Sequence, residues 1–356
     1  MRPLLWFIGA ILVLGLPYSA PTTPPVAATV ETTLPSADSL IRMLAFDGDH
    51  STYFASKQNP GPEDHFTLVF DQPVAVTSIV VTTGRTDGGD QLDPGTLAGS
   101  VDGKTFEPLA PFADGVARAR PKGRRLQALR IQPAGNLEHP LVIRDITIES
   151  DPPVAVFKYP VEFVVDVTDA PEMKDWAEKV ARVCERQYQM ICEELKSDGF
   201  KPRQRITMTL KKDYNGVAGT SGGHITGSVR FFKAHPDDVG AMVHETVHVV
   251  QNYGGRGNPS WLVEGIADYI RFFKYEPGKI GGLNPDRLRY NGSYRQSAAF
   301  LAYVTDKYDK ELVRKLNALL RQGKYKEDIF KELTGKTVQE LGDEWKTSLR
   351  RVPADG

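Results

Sequence analysis

The 356-residue chain has only two cysteines, Cys184 and Cys192. Both fall in the stretch "DWAEKVARVCERQYQMICEEL", whose apolar spacing is that of an amphipathic helix. Eight residues along a helix span about 12 Å, beyond the roughly 7 Å that separates Cα atoms in a disulfide. A disulfide framework is excluded, and both thiols are expected to be reduced core residues. Charge of one sign is equally scarce: 44 basic residues stand against 45 acidic ones, with no block of either. That balance argues against a nucleic-acid or anionic-membrane partner. Long apolar runs are missing too, apart from the 13 residues Leu4 to Leu16. A membrane-spanning helix needs about 20. With Arg2 before that run and "PYSA" closing it at Ala20, residues 1–20 have the form of a secretory signal peptide, although Tyr18 is not the usual small residue before a cut. A secreted or periplasmic mature chain with no transmembrane segment is the expectation.

The length suggests about two domains. Residues 21–36, "PTTPPVAATVETTLPS", read as a Pro/Thr-rich linker, because the segment holds little apolar surface to bury. From 37 to 150, short runs such as "HFTLVFD", "VTSIVVTTG", "ALRIQP" and "LVIRDITIES" alternate with Gly, Pro and Asp clusters. That pattern predicts an all-β sandwich of the jelly-roll kind. Residues 151–160, "DPPVAVFKYP", read as a second linker. Beyond it, 161–352 predicts an α+β domain: strands "VEFVVDV" and "RITMTLK", a long helix from about Pro171 to Leu195, a glycine-rich loop "NGVAGTSGGHITGSVRFF", then helices.

The chemistry concentrates in "VHETVHVV". His244 and His248 are one helical turn apart, on one face and about 6 Å from each other, where a single zinc ion can bridge them. Glu245, turned by one residue, is placed to act as general base toward a zinc-activated water without itself becoming a ligand. A catalytic zinc wants three protein ligands and one open position. A histidine six residues after the second is absent, since Gly254 stands there. Instead "PSWLVEGIADY" offers Glu264, with fifteen residues between it and His248. Pro259 and Ser260 are helix-start signals, so a helix–loop–helix brings Glu264 back to the first helix, with small Gly265 and Ala267 allowing close approach. Asp268, one turn on, is a candidate hydrogen-bond acceptor for a ligating histidine.

"HETVHVVQ" followed by "WLVEGIADYIR" resembles the basic secretory protein family of plants and bacteria, peptidase-like members of the gluzincin group. The resemblance covers about Tyr159 to Leu349. It implies a zincin-like metallopeptidase acting on a peptide or protein substrate, with Zn2+ held by His244, His248 and Glu264 and with Glu245 as base. It further implies a downstream tyrosine as oxyanion donor, for which Tyr294 is the candidate and Tyr290 and Tyr303 are rivals. The near-neutral sequence pI of about 6.7 does not fit the family's name. In zinc peptidases an edge strand before the metal helix pairs with the substrate backbone, and "SGGHITGSVRFF", with His224, is the expected segment.

In the first half, "AFDGDHSTYFAS", "SVDGKTFEPLAPF" and "PLVIRDITIES" are similar to discoidin-like modules, the coagulation factor 5/8 C-terminal family. The similarity implies a candidate structural Ca2+ site at Asp47, Asp49, Thr52 and Glu149, whose hard oxygens suit that ion. It also implies a carbohydrate or cell-surface ligand met by loop aromatics; Tyr53 and Phe54, beside the Asp loop, are either such contacts or core residues packed inward. The combined expectation is a secreted zinc metallopeptidase with an accessory binding module. A non-catalytic surface-binding protein on an idle peptidase scaffold is the competing class, and retention of Glu245 speaks against it.

Overall fold

In the computed structural model, which describes residues 23–254, 257–292 and 294–350, the first half folds as an antiparallel β-sandwich and the second as a mixed α/β domain. The expected signal segment, residues 1–20, lies outside the described residues. Among the described residues no helix is long and apolar enough to cross a membrane.

The sandwich is built from β1 (Ala28–Thr32), β2 (Phe54–Ala55), β3 (Phe66–Thr83), β4 (Gly95–Ser100), β5 (Glu107–Pro111), β6 (Val116–Ala119), β7 (Arg124–Pro133) and β8 (Val142–Asp151). The two runs predicted as separate strands, "HFTLVFD" and "VTSIVVTTG", are one continuous strand, β3. Its pairing with β7 is interrupted between Val69 and Val74, at the segment containing Pro73, which has no N–H to offer a ladder. The first part of β3 pairs with β1 and β7, the second with β6 and β8, so one strand serves both layers. Between the layers lie Phe66, Leu68, Ile79, Val81, Leu126, Ile131, Ile143 and Ile146, all buried.

Residues 23–36 and 151–160, within the segments read as linkers, are structured. Ala28 and Val30 of β1 point inward and Glu31 outward, an alternation carried by "ATVET" that the surrounding prolines and threonines mask. In 151–160, Val154 bridges to Val26 and buried Phe157 meets Phe46 edge to face at 5.9 Å. Apolar residues at these few positions outweigh the polar composition around them.

The second half has a four-stranded sheet in the order β11, β12, β10, β9, made by β9 (Glu162–Asp166), β10 (Arg205–Lys211), β11 (Ala218–Ser221) and β12 (His224–Ser228). The first two and β12 run parallel, and β11 is antiparallel at the edge. The glycine-rich stretch predicted as a loop is thus a hairpin. The helices are α1 (Lys174–Glu194), α2 (Val229–Ala234), α3 (Gly240–Gln251), α4 (Ser260–Tyr269), α5 (Tyr294–Lys307), α6 (Leu312–Arg321), α7 (Ile329–Thr334) and α8 (Val338–Arg350). Helix α1 buries Ala177, Val180, Ala181, Cys184, Tyr188, Ile191 and Cys192 at helical spacing, between β9 and α3. Both cysteines are free, and burial pushes their thiols up to about 12. They are inert packing residues.

Candidate metal centre

Helix α3 is almost wholly buried: among its 12 residues only His248 is less than fully enclosed. It ends where Asn252 turns left-handed at φ 43°, with its N–H on the carbonyl of His248. Arg321 of α6 then donates from Nη2 to the carbonyl of Val250 at 2.8 Å, placing a cation at the helix's negative end. Helix α4 begins after Pro259, whose extended ψ of 122° sets its entry. Gln251 ties the two together, its Nε2 donating to the Val263 carbonyl at 2.9 Å.

This arrangement brings His244, His248 and Glu264 to one point. Nε2 of His244 is 3.1 Å from Nε2 of His248, and Oε2 of Glu264 is 3.2 Å and 3.3 Å from those two nitrogens. Nδ1 of His244 is 2.7 Å from Oδ1 of Asp268, and Nδ1 of His248 is 2.7 Å from Oε1 of Gln251. Both partners are acceptors, so each Nδ1 carries the proton and each neutral ring turns its Nε2 lone pair inward. Two lone pairs and a carboxylate oxygen then face one another with no donor between them. Such a cluster demands a cation. A tetrahedral zinc with bonds of about 2.0–2.1 Å sets its ligands about 3.3 Å apart, which is the spacing found. The residues fit the ion.

Titration shows the same demand for positive charge, met by a proton where no metal is bound. Burial works against charge on His244, yet the hydrogen bonds to Asp268 and Glu264 outweigh it and raise the imidazole to about 9. For Glu264, burial pushes the carboxyl up, and the two imidazoles more than reverse this, to about 2.

Glu245 is buried next to the cluster. Its Oε2 accepts from Oγ1 of Thr220 at 2.7 Å, and the same hydroxyl lies 3.0 Å from the Glu245 main-chain oxygen. Thr220 belongs to β11, so the edge strand holds the carboxylate. Neither Thr220 nor Gln251 was singled out from the sequence. Gln251 had a local signal, standing one turn after His248; Thr220 had none, because the hairpin creates the contact.

Tyr294 opens α5 with a left-handed φ of 47° and 54% exposure, its ring nearly parallel to that of His244 with centroids 6.1 Å apart. The carboxylate of Glu264, then partial burial, then Asp268 and Glu245 push its phenol up, which keeps it a proton donor. The rivals lie elsewhere. Tyr290 packs against Trp261 and Phe300, and Tyr303 donates to Glu344 at 2.6 Å.

Three expectations are corrected. The edge of the sheet is β11, whereas β12, which carries the "HITGS" of the expected edge segment, is an inner strand; His224 is exposed and does not line the cleft. Gly265 admits α5 and not α3, since a Cβ there would sit 2.7 Å from the Cβ of Ser297. In the sandwich, the loop at Asp47 is closed by its own hydrogen bonds: Thr52 Oγ1 donates to Asp47 Oδ2 at 2.8 Å and the Asp49 N–H to Asp47 Oδ1 at 3.0 Å. The β8 residue facing this loop is Asp145, 3.4 Å from His50. Glu149 lies four residues further along, about 13 Å away at strand rise, so the predicted calcium ligands Asp47, Asp49, Thr52 and Glu149 are not brought together. Phe54 is core, and Tyr53 lies under Arg85, 5.9 Å from ring to guanidinium.

The cluster lies in a cleft of about 1210 Å³ whose walls are β11, α3, α4 and the start of α5. Among the described residues it holds the one group of three metal-binding side chains with ligand atoms within 4.8 Å of one another.

A family model described as "peptidase of plants and bacteria" matches residues 158–345, more than half of the chain. The protein belongs to this peptidase family. Its sandwich is similar in structure to CBM32-1 from a family 31 glycoside hydrolase of Clostridium perfringens (19% identity, 34% of this chain and 92% of that one, TM-score 0.30). It is also similar to the family 32 CBM of C. perfringens NanJ, solved with galactose (14% identity, 34% and 92%, TM-score 0.29). A fucose-binding module of Streptococcus pneumoniae is similar as well (13% identity, 34% and 91%, TM-score 0.29). No curated protein sequence matches the chain.

Proposed function

We propose that the protein is a zinc-dependent metallopeptidase that hydrolyses peptide bonds. The carrying observation is the inward convergence of two imidazole lone pairs and the Glu264 carboxylate, with Glu245 at their side. Zinc held there supplies Lewis acidity to water and to the scissile carbonyl. Asp268 and Gln251 fix the tautomers and orientation of the two rings. Thr220 holds one oxygen of Glu245, and Oε1 accepts no hydrogen bond from the described residues. That oxygen takes the proton of the attacking water and passes it to the leaving amine. The Tyr294 hydroxyl donates to the oxyanion that develops at the carbonyl carbon. Strand β11, with no strand of the described residues on its outer edge, receives the extended substrate backbone.

The sandwich is the accessory half of this reading, a module for a carbohydrate or cell-surface ligand, supported by the discoidin-like sequence similarity. A glycan array probed with the full chain tests it, and an array without signal above that of an unrelated protein rejects it. Export through residues 1–20 is proposed on the sequence alone; fractionation that leaves the chain inside the cell removes it.

The deciding experiment measures zinc content and peptide-library hydrolysis for the wild type and Glu245→Gln. Loss of about 10²-fold or more in kcat, the usual scale for a general base, is expected with zinc content unchanged. Undiminished hydrolysis by Glu245→Gln removes the mechanism.

A further inference from the structure

We propose that Arg295 selects substrates by pairing with a carboxylate of the bound peptide, an inference that rests on the peptidase reading above. Arg295 follows Tyr294 on α5 and lines both the main cleft and an adjoining recess of about 380 Å³. Its guanidinium carbon stands 5.1 Å from the ring centroid of buried Phe272. An arginine resting on an aromatic ring keeps a rigid, weakly hydrated fork of N–H donors, suited to a planar carboxylate.

The neighbouring charges are already committed. Arg271, also over Phe272 at 4.6 Å, donates from Nη2 to Asp238 at 2.5 Å and from Nε to Glu276 at 2.7 Å. Lys279 takes the other oxygen of Glu276 at 3.3 Å. Arg295 has no carboxylate of the described residues within 4.0 Å, although exposed Asp237 lines the same recess. Within the cleft it is the cation whose charge is not answered by a described acidic partner. Burying an uncompensated charge under a bound peptide is costly, so a peptide that supplies the counter-charge is favoured over one that does not. Such a carboxylate comes either from an acidic side chain or from a free peptide C-terminus.

Three peptides of one core sequence separate these sources. One has a glutamate side chain and an amidated C-terminus, one has neutral side chains and a free C-terminus, and one is neutral and amidated. For the wild type, one of the first two is expected to exceed the neutral peptide in kcat/KM by about tenfold or more, the scale of a charge-assisted pair. In Arg295→Gln that ratio falls to near one, and Arg295→Lys keeps part of it. A preference for the glutamate peptide identifies a side-chain subsite; a preference for the free C-terminus identifies terminal recognition. Equal rates for all three in the wild type, or a ratio unchanged in Arg295→Gln, overturns the proposal. The same peptides are titrated by calorimetry into Glu245→Gln, with and without Arg295→Gln. This binding readout tests Arg295 even if no peptide is cleaved, the result that would instead overturn the peptidase reading.

Discussion

Arg42 of the sandwich reaches Glu185 of α1, with Nη2 2.5 Å from Oε1 and both residues buried. The same guanidinium lies 3.3 Å from Glu162 of β9, which also accepts from Ser36 at 2.8 Å. Glu185 further accepts the Phe163 N–H at 2.7 Å and stands 3.1 Å from Arg182. Burial pushes the Glu185 carboxyl up, and Arg42 opposes that push. One arginine of the sandwich therefore pairs with acids belonging to two elements of the peptidase domain. One of these, α1, packs on the helix that carries both histidines.

Removing that arginine leaves buried Glu162 without a cationic partner among the described residues, while Glu185 keeps Arg182. Arg42→Ala is expected to lower unfolding stability by about 3–5 kcal/mol, the usual cost of breaking a buried pair from one side. Urea unfolding followed by fluorescence measures it. A shift below about 0.5 kcal/mol, the size of ordinary surface substitutions, would mean the contact is inessential.

Asp268→Ala and Gln251→Ala each free one imidazole tautomer without removing a ligand. Zinc affinity should fall about 10–100-fold in each, as when an outer partner of a ligating histidine is lost. Competition with a chromophoric chelator reads the constants; affinities equal to wild type would show that the rings need no orientation.

Glu264→Ala removes one corner of the triangle. Zinc content after dialysis should drop below stoichiometric, and a chelator should lower the Tm of the wild type while leaving the variant's nearly unmoved, because a ligand stabilises only the fold that binds it. Full occupancy in the variant would exclude Glu264 as a ligand.

Tyr294→Phe keeps the ring beside His244 and deletes the hydroxyl. A fall in kcat of about 10²-fold with little change in KM is expected of a donor that acts mainly on the transition state. A change in KM alone would assign the residue to substrate binding.

The site was legible in the sequence where its geometry is local. Residues i and i+4 of a helix face one way whatever surrounds them, so His244, His248 and the offset of Glu245 were readable from spacing. Asp268 and Tyr294 were readable as candidates; their positions beside His244 came from the packing of α4 and α5. The small size of Gly265 is legible in the sequence, but the helix it admits is not, since sequence spacing does not say which neighbour approaches a given face.

What the sequence determined by itself was the order of a strand-rich and a helix-rich half, the amphipathic α1 with its unpaired cysteines, and the candidate ligands His244, His248 and Glu264. These follow from periodicity and residue chemistry. Only the tertiary structure decided that Thr220 holds Glu245, that β1 hides in a Pro/Thr-rich segment, that Glu149 stays away from the Asp47 loop, and that Arg42 joins the two halves. Each depends on chain segments far apart in sequence. Their meeting is set by the packing of whole sheets and helices, which short-range preference does not encode.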